Sequence, residues 1–364
     1  MTWLALVDAQ ERRLSRWGLG DDKQALPVVP DDPAFPLLHG TLMLETRLPT
    51  AGRPDVLFGY QRLAADRRSL TLQARPGGGI ALVQVQGDRI GHAALAAKSS
   101  ARTDVLRLTF SWDFYRNWAQ LTVETPGEIG ARSALVDHPM PLTLGDVRDL
   151  MLGRAAPRRA PEVIFAALSD RVEPIGPMPG LLPSTAIETA EGFRPLGDLR
   201  RGDILRTRDS GLVPVLQPVR RTVPARGSFR PIRLRAPYFG LRQDIIVSPE
   251  ERLVIDGPEV EYLFGREAVL VPARHLVNGR MAVEETCGPT ATYTQVILPR
   301  HDTLMVAGTQ VESLYLGRIR RQRALLSQSL LADYPRDRLP EHAHLAWPVL
   351  RWHDAIHLAR RRAA

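Results

Sequence analysis

Pro195-Leu-Gly-Asp198-Leu199-Arg-Arg-Gly202 and Pro272-Ala-Arg-His275-Leu276-Val-Asn-Gly279 are two copies of one pattern, Pro-x-x-[Asp/His]-Leu-x-x-Gly, set 77 residues apart. In each copy the leucine is expected on a one-turn element facing a core, and the glycine is expected to supply a positive φ before the next strand. A corner that recurs between β-like stretches predicts two half-units related by duplication, and hence a pseudo-twofold β domain. Around the corners, residues 185–190, 229–235, 244–247, 252–256, 268–271, 292–298 and 303–307 read as strands.

Upstream, the chain alternates with a period of two. In 41–48 the apolar Leu42, Leu44 and Leu48 oppose Glu45 and Arg47, and 69–74 repeats the pattern with Leu70, Leu72 and Ala74. Leu106, Leu108 and Phe110 in 104–110 oppose Arg107 and Thr109, and 118–124 resumes with Ala119, Leu121 and Val123. This is the signature of half-buried antiparallel strands, with 104–110 and 118–124 forming a hairpin. Thr143-Leu-Gly-Asp146, then Val147, Leu150, Met151 and Gly153, carries the start and stop signals of one short helix. The architecture expected for 1–172 is an antiparallel β-sandwich.

Glu173-Pro-Ile-Gly-Pro-Met-Pro-Gly180 holds three prolines and two glycines in eight residues, which marks 173–179 as a punctuated linker. The pseudo-twofold domain then covers 180–317. From about Gly317 the texture turns helical, with one apolar stripe of Ala324, Leu325, Leu326, Leu330 and Leu331 and another of Leu350, Ile356 and Leu358. Residues 318–364 form a short, basic, helical extension on this reading. The fold class is mainly β.

Composition agrees. The chain of 364 residues is 44% hydrophobic and 24% charged, a two-domain length with ordinary globular content. Its 28 glycines and 30 prolines exceed what a helix bundle tolerates and favour turn-rich β structure. The single Cys287 excludes an intrachain disulfide and a multi-cysteine metal site. A net charge of +8 raises nucleic acid as a partner. Only Lys23 and Lys98 are lysine among 48 basic residues, however, so the excess reflects arginine usage, and ten arginines against four acids from Arg318 onward place most of it in the tail. No recognition module accompanies it, and a solvated basic tail is the better reading. No stretch approaches a membrane span, and the opening residues are too short for a secretory core, so a cytoplasmic location is the default expectation, with non-classical secretion left open.

The segment from Gly180 to Gly317 resembles a Hint domain, the module shared by hedgehog autoprocessing domains and inteins, in its bacterial form. The likeness is carried by Gly180-Leu-Leu-Pro183-Ser184-Thr185, Asp198-Leu-Arg-Arg-Gly202-Asp203, Ser248-Pro249-Glu250-Glu251-Arg252-Leu253, Leu270-Val-Pro-Ala-Arg-His275-Leu276 and the pair Arg300-His301-Asp302 and Glu312-Ser313-Leu314. The N-terminal part resembles, more distantly, a concanavalin- or laminin-G-like sandwich, through Leu106-Arg-Leu-Thr-Phe-Ser-Trp112-Asp113.

The resemblance implies self-processing that starts with an acyl shift. The thiol or hydroxyl of the first residue attacks the carbonyl just before it, and a positioned histidine donates a proton to the leaving nitrogen. Here the nucleophile position holds Gly180, which has no side chain, and the histidine position holds Glu251, while Ser248 is retained. Ser184 and Thr185 are not attached next to the Pro179–Gly180 bond and cannot form the same ring. Cys287, flanked by Glu284 and Glu285, is no substitute, since acids raise a thiol pKa. The expectation is a Hint domain whose self-processing is lost and which serves as a binding or scaffold module. The alternatives are cleavage near Gly180 by an unconventional group such as Glu251 with Ser248, and a lectin-like carbohydrate-binding protein.

For His275 and His301 structural hydrogen bonding is favoured over residual catalysis. Trp112, Tyr115 and Trp118 are the candidates for a sugar surface, though core or hairpin packing is the more ordinary role for such aromatics. His353 and His357 are four apart on an expected helix, but no third ligand is spaced with them. No metal or cofactor is implied, and the partner is expected to be a protein or a glycan.

Overall fold

The computed structural model describes residues 3–20, 31–48, 55–62, 67–76, 78–96, 105–153 and 158–363. It divides into two compact units, Met1–Pro174 and Ile175–Ala364.

In the first unit the alternating stretches form two antiparallel sheets. Seven strands run in the order Ala131–Leu135, Trp118–Glu124, Val105–Asp113, His39–Arg47, Val163–Ser169, Trp3–Asp8 and Arg12–Leu14. Five more run in the order Arg158–Arg159, Asp55–Arg62, Arg68–Arg75, Gly79–Gln86 and Arg89–Ala96. Leu42, Leu44, Leu108 and Phe110 of the first sheet share one apolar cluster with Leu70, Leu72, Ile80 and Leu82 of the second. Each such leucine contributes ~1.5–3 kcal/mol by leaving water. The expected hairpin is present, with Phe110 opposite Leu121 and Leu108 opposite Val123; Asp104, at its expected start, lies outside the described residues. Thr143 and Asp146 exchange backbone hydrogen bonds as a capping box at the head of helix Leu144–Leu152, and Gly153 closes it with φ 71°. Asp146 also receives Arg68, from Nε at 2.9 Å and from Nη2 at 2.6 Å, so the cap carboxylate is ion-paired where it is buried.

The second unit contains both corner motifs as the sequence describes them. Leu196–Asp198 and Ala273–His275 are single 3-10 turns, entered through Pro195 (φ −60°, ψ 134°) and Pro272 (φ −59°, ψ 135°). Leu199 and Leu276 are both buried, and Gly202 and Gly279 have φ of 92° and 79°. One sheet runs in the order Gly192–Pro195, Ala186–Thr189, Ile204–Thr207, Thr303–Val306, Thr309–Glu312, Arg252–Asp256 and Ala268–Pro272, with Gly211–Pro214 paired to Ile204–Thr207. A ribbon of Gln217–Pro224 with Thr290–Ile297 and a three-stranded sheet of Ile245–Val247, Ile232–Leu234 and Ala282–Glu284 complete it.

Several strands carry no period-two signal. Gly192–Pro195 and Gly211–Pro214 are short edge strands with mostly exposed residues, and Gln217–Pro224 interrupts its pattern with two prolines and adjacent arginines. The first two close local hairpins with Ala186–Thr189 and Ile204–Thr207, whereas Gln217–Pro224 is held by Thr290–Ile297, far away in sequence. Phe229 ends a 3-10 turn, and the strand expected from it begins only at Ile232.

The segment expected as a linker is packed. Glu173 is buried, with its N–H on Thr41 Oγ1 at 2.8 Å. Ile175 is also buried and donates to the Gln328 carbonyl at 2.9 Å, and Gly176 lies against Leu325 and Ile319. The tail is helical at Arg323–Leu326 and Trp352–Ala363, with turns and extended chain between. It is built into the second unit. Val349 bridges to Leu270 in parallel, and Ala355, Leu358 and Ala359 sit in the same apolar cluster as Val271 and Leu276.

Candidate functional site

Gly180 enters the second unit just before an isolated β-bridge residue. Its carbonyl accepts from Ser248 N–H at 2.7 Å, and Leu181 next to it bridges both Val247 and Thr294. Ser248 to Glu251 is a turn closed by Glu251 N–H on the Ser248 carbonyl at 3.2 Å. The second corner motif braces that turn, since Ala273 N–H donates to the Glu251 carbonyl at 2.8 Å. Gly180, Ser248 and Glu251, which are remote in sequence, thus meet at one point in the interior.

They meet so closely that position 180 has no room for a side chain. A Cβ placed on Gly180 would overlap Glu251 Oε2 and stand 2.9 Å from both Glu251 Cβ and Ser248 Oγ. The Glu251 carboxyl fills the space in which a nucleophile on residue 180 would hang.

Glu251 is buried, and desolvation raises its carboxyl well above the usual range, with Glu312 adding to the effect; Arg252 and Gln295 oppose it. The protonated form of the carboxyl is therefore favoured more than in an exposed glutamate. Gln295 Nε2 donates to Glu251 Oε1 at 3.2 Å and to the Glu312 carbonyl at 3.0 Å. The Glu312 carboxylate in turn receives Arg252 Nη1 at 3.2 Å and His301 Nε2 at 3.1 Å. His301 Nδ1 accepts from Ala346 N–H at 2.9 Å, which leaves Nε2 as the donor toward Glu312. The network runs from the tail through His301, Glu312 and Gln295 to Glu251, and every link orients a polar group in a desolvated place.

The remaining sequence candidates are dispersed. His275 is half-buried on the 3-10 turn of the second corner, and burial, with Arg274 adding, pushes it down to about 4. Thr185 is buried with its N–H on the Leu182 carbonyl, and Ser184 is exposed. Cys287 is exposed, and desolvation, with Glu285 adding, pushes its thiol up. His353 lies 3.4 Å from Asp354, and among the described residues no three His, Cys, Asp or Glu side chains gather to hold a metal. The aromatic set of the first unit does not form one surface. Trp112 is a core residue, 1% exposed, stacked near Phe110 and donating to the Leu37 carbonyl at 2.8 Å. Its place on a sugar surface is corrected by its strand, which turns even positions inward. Trp118 is half-buried, while Tyr115 is 75% exposed with its ring 6.0 Å from that of His39.

Gln295, Arg252 and the carboxyl of Glu312 are the site partners that sequence reasoning missed. Glu312 was legible only as part of a matched motif, and Gln295 reads as one more polar residue on an alternating strand; only the fold brings them to Glu251.

The family described as "Hint domain" matches residues 179–318. A Hint domain therefore occupies the first part of the second unit, and the tail packs onto it. Comparison with curated protein sequences finds no match. Among solved structures, the chain is similar to the CBM40 of the Ruminococcus gnavus IT-sialidase (14% identity, 36% of this chain and 64% of that chain, TM-score 0.23). It is also similar to the gp41-1 intein (12% identity, 37% of this chain and 98% of that chain, TM-score 0.24) and to the MchDnaB-1 intein (15% identity, 36% and 98%, TM-score 0.24). The chain thus spans less than two thirds of the sialidase chain it matches. Among the described residues no helix is long and apolar enough to cross a membrane.

Proposed function

We propose that the Hint domain of this chain has given up self-processing and that the protein works as a binding or scaffold module. The observation that carries this reading is the overlap at Gly180. An acyl shift needs an oxygen or sulfur on the β-carbon of the residue that carries the scissile nitrogen, and at that β-carbon position the Glu251 carboxyl occupies the volume instead. The histidine that would protonate the leaving nitrogen is replaced by this same buried carboxyl. Pro179 and Gly180 are themselves buried, which keeps water from the bond between them.

The test is the intact mass of the purified full-length chain after a day with and without a small thiol. A single unchanged species of 40.5 kDa supports the reading. Two fragments meeting near Gly180 overturn it. They would favour cleavage by an unconventional group, for which the specific observation is Ser248 Oγ, 2.9 Å from the Cβ position of residue 180 and beside the buried Glu251 carboxyl. The double variant Gly180→Cys/Glu251→His examines the rest of the apparatus. It restores both missing groups and removes the Glu251 carboxyl from the space beside residue 180, and thiol-dependent cleavage by it would mean that the surrounding shell is intact.

A second reading concerns the first unit. Exposed Tyr115 beside His39 supports glycan binding by residues 1–172, because an aromatic face next to an imidazole offers both stacking and a hydrogen bond. Loss of glycan-array signal in Tyr115→Ala of the full chain would support it, and an unchanged or absent signal would remove it.

A further inference from the structure

Two clefts of the described surface hold several arginines, and they differ in what those arginines already touch. The larger, of about 800 Å³, lies in the first unit and includes Arg12, Arg13 and Arg148. Two of these three cations are already paired with carboxylates. Arg12 donates to the Leu152 carbonyl at 3.1 Å, Arg13 pairs with Glu11, and Arg148 pairs with Asp31. That cleft offers an incoming anion little that is not already engaged.

The other, of about 450 Å³, lies in the second unit, where the first corner motif, the strand Gln217–Pro224 and the tail turn at 330–335 come together. The corner supplies Arg201. Leu199 anchors that turn in the core, and Gly202, at φ 92°, donates to the Val215 carbonyl at 2.8 Å. The acid of the same turn is engaged elsewhere, because Asp203 Oδ2 accepts from Arg200 N–H at 2.8 Å and pairs with Arg194 at 3.4 Å. Arg201 has no carboxylate partner among the described residues. The strand supplies Arg220, whose Nη2 meets only the Gly197 carbonyl, at 3.3 Å. Apolar side chains also line the cleft, with Pro218 and Leu330 half-buried and Pro335 exposed. The tail adds Tyr334, whose N–H closes a turn on the Leu331 carbonyl at 2.9 Å, and the exposed Asp333.

We propose that this cleft binds a carboxylate carried on an apolar body, either a small free acid or the C-terminus of a peptide chain. A guanidinium is planar and matches a carboxylate through paired donors, so two arginines lacking acidic partners define the polar end of the ligand. Pro218, Leu330 and Pro335 in the lining define its other end and disfavour a fully hydrated inorganic anion, which would leave that apolar surface uncovered. The volume falls within the range of small-ligand sites, ~300–1,000 Å³. Asp333, the one acid in the lining, opposes the ligand's charge. The site takes one wall from the Hint corner and another from the tail, and it is independent of whether bond cleavage at Gly180 survives.

The experiment titrates the full-length protein with N-acetyl-leucine and with N-acetyl-leucinamide by calorimetry and saturation-transfer NMR. A peptide ending in leucine follows, with a free and with an amidated C-terminus, and inorganic phosphate serves as the control. The free acid is expected to saturate and the amide to bind at least about tenfold more weakly, because the amide forfeits the charge-assisted pairs. Arg201→Ala and Arg220→Ala should each weaken the acid by about tenfold, and Asp333→Asn should tighten it by about twofold. These residues are exposed, so thermal transitions of the three variants should match the parent, which separates lost binding from lost folding. If the peptide acid saturates at far lower concentration than the small acid, the ligand is a chain end; similar values identify free acids as sufficient. Equal binding of acid and amide, unchanged affinity in both arginine variants, saturation by phosphate in place of the acid, or no saturation by either acid up to about 10 mM would each overturn the proposal.

Discussion

Adding one methyl group at position 180 tests the geometry most directly. Gly180→Ala places a Cβ onto Glu251 Oε2 and within 2.9 Å of Glu251 Cβ and Ser248 Oγ, and real Cβ atoms do not approach neighbours so closely. The carboxyl has little freedom to retreat. Its backbone is tied by Glu251 N–H to Ser248 and by Ala273 N–H to Glu251, and its Oε1 is tied to Gln295. Overpacking of this kind costs ~1–3 kcal/mol. Glu251→Ala removes the carboxyl overlap and keeps only the 2.9 Å contacts with Cβ of residue 251 and Ser248 Oγ, so Gly180→Ala should cost less in that background, with a coupling of ~1–2 kcal/mol in favour of the double variant. The assay is urea unfolding of the four proteins of the cycle. Because the chain has two units, the transition to follow is the one that Glu251→Ala alone moves, with m required to stay constant. Additivity within ~0.5 kcal/mol would show that residue 180 does not press on Glu251, and the account of why no side chain stands there would fail.

Two further outcomes follow from the same residues. Glu251 has a folded pKa raised above its ordinary 4.5, so the unfolded chain releases this proton first and stability falls as pH rises from about 4.5 toward the folded value; Glu251→Gln should remove that slope, so urea midpoints of variant and parent should separate increasingly with pH, the variant higher, and parallel curves would contradict a raised folded pKa. Truncation after Gly317 removes Ala355, Leu358 and Ala359 from the core, frees Leu270 from Val349 and leaves His301 Nδ1 without its Ala346 donor; the second unit should lose its cooperative transition by calorimetry, and a shortened chain that melts like the parent would show the tail to be an appendage.

The β character of both units was legible because their strands are amphipathic: Leu42, Leu44, Leu106, Leu108 and Phe110 announce a buried face through spacing alone, and the Thr143–Gly153 helix announces its ends through cap chemistry. The repeated corner was legible for a similar reason, since proline, leucine and glycine each meet a local backbone or burial demand that holds wherever the turn is placed. Edge strands such as Gln217–Pro224 were not, because their conformation is imposed by pairing with Thr290–Ile297, some 70 residues away.

The site divides along the same line. Sequence alone determined that residue 180 carries no nucleophile and that the histidine of the matching motif is a glutamate, because identity at a motif position is a local fact. Whether Glu251 is charged, what surrounds it and whether position 180 has room for a side chain depend on distances between Gly180, the 248–251 turn, Gln295 and Glu312. Burial and Coulomb interactions are properties of three-dimensional neighbourhoods, and those neighbours come from strands that are far apart along the chain. The same holds for the tail: its arginine count reads as a solvated basic end, and only packing places Ala355, Leu358 and Ala359 in the core and sets Leu331 and Tyr334 as one wall of a cleft.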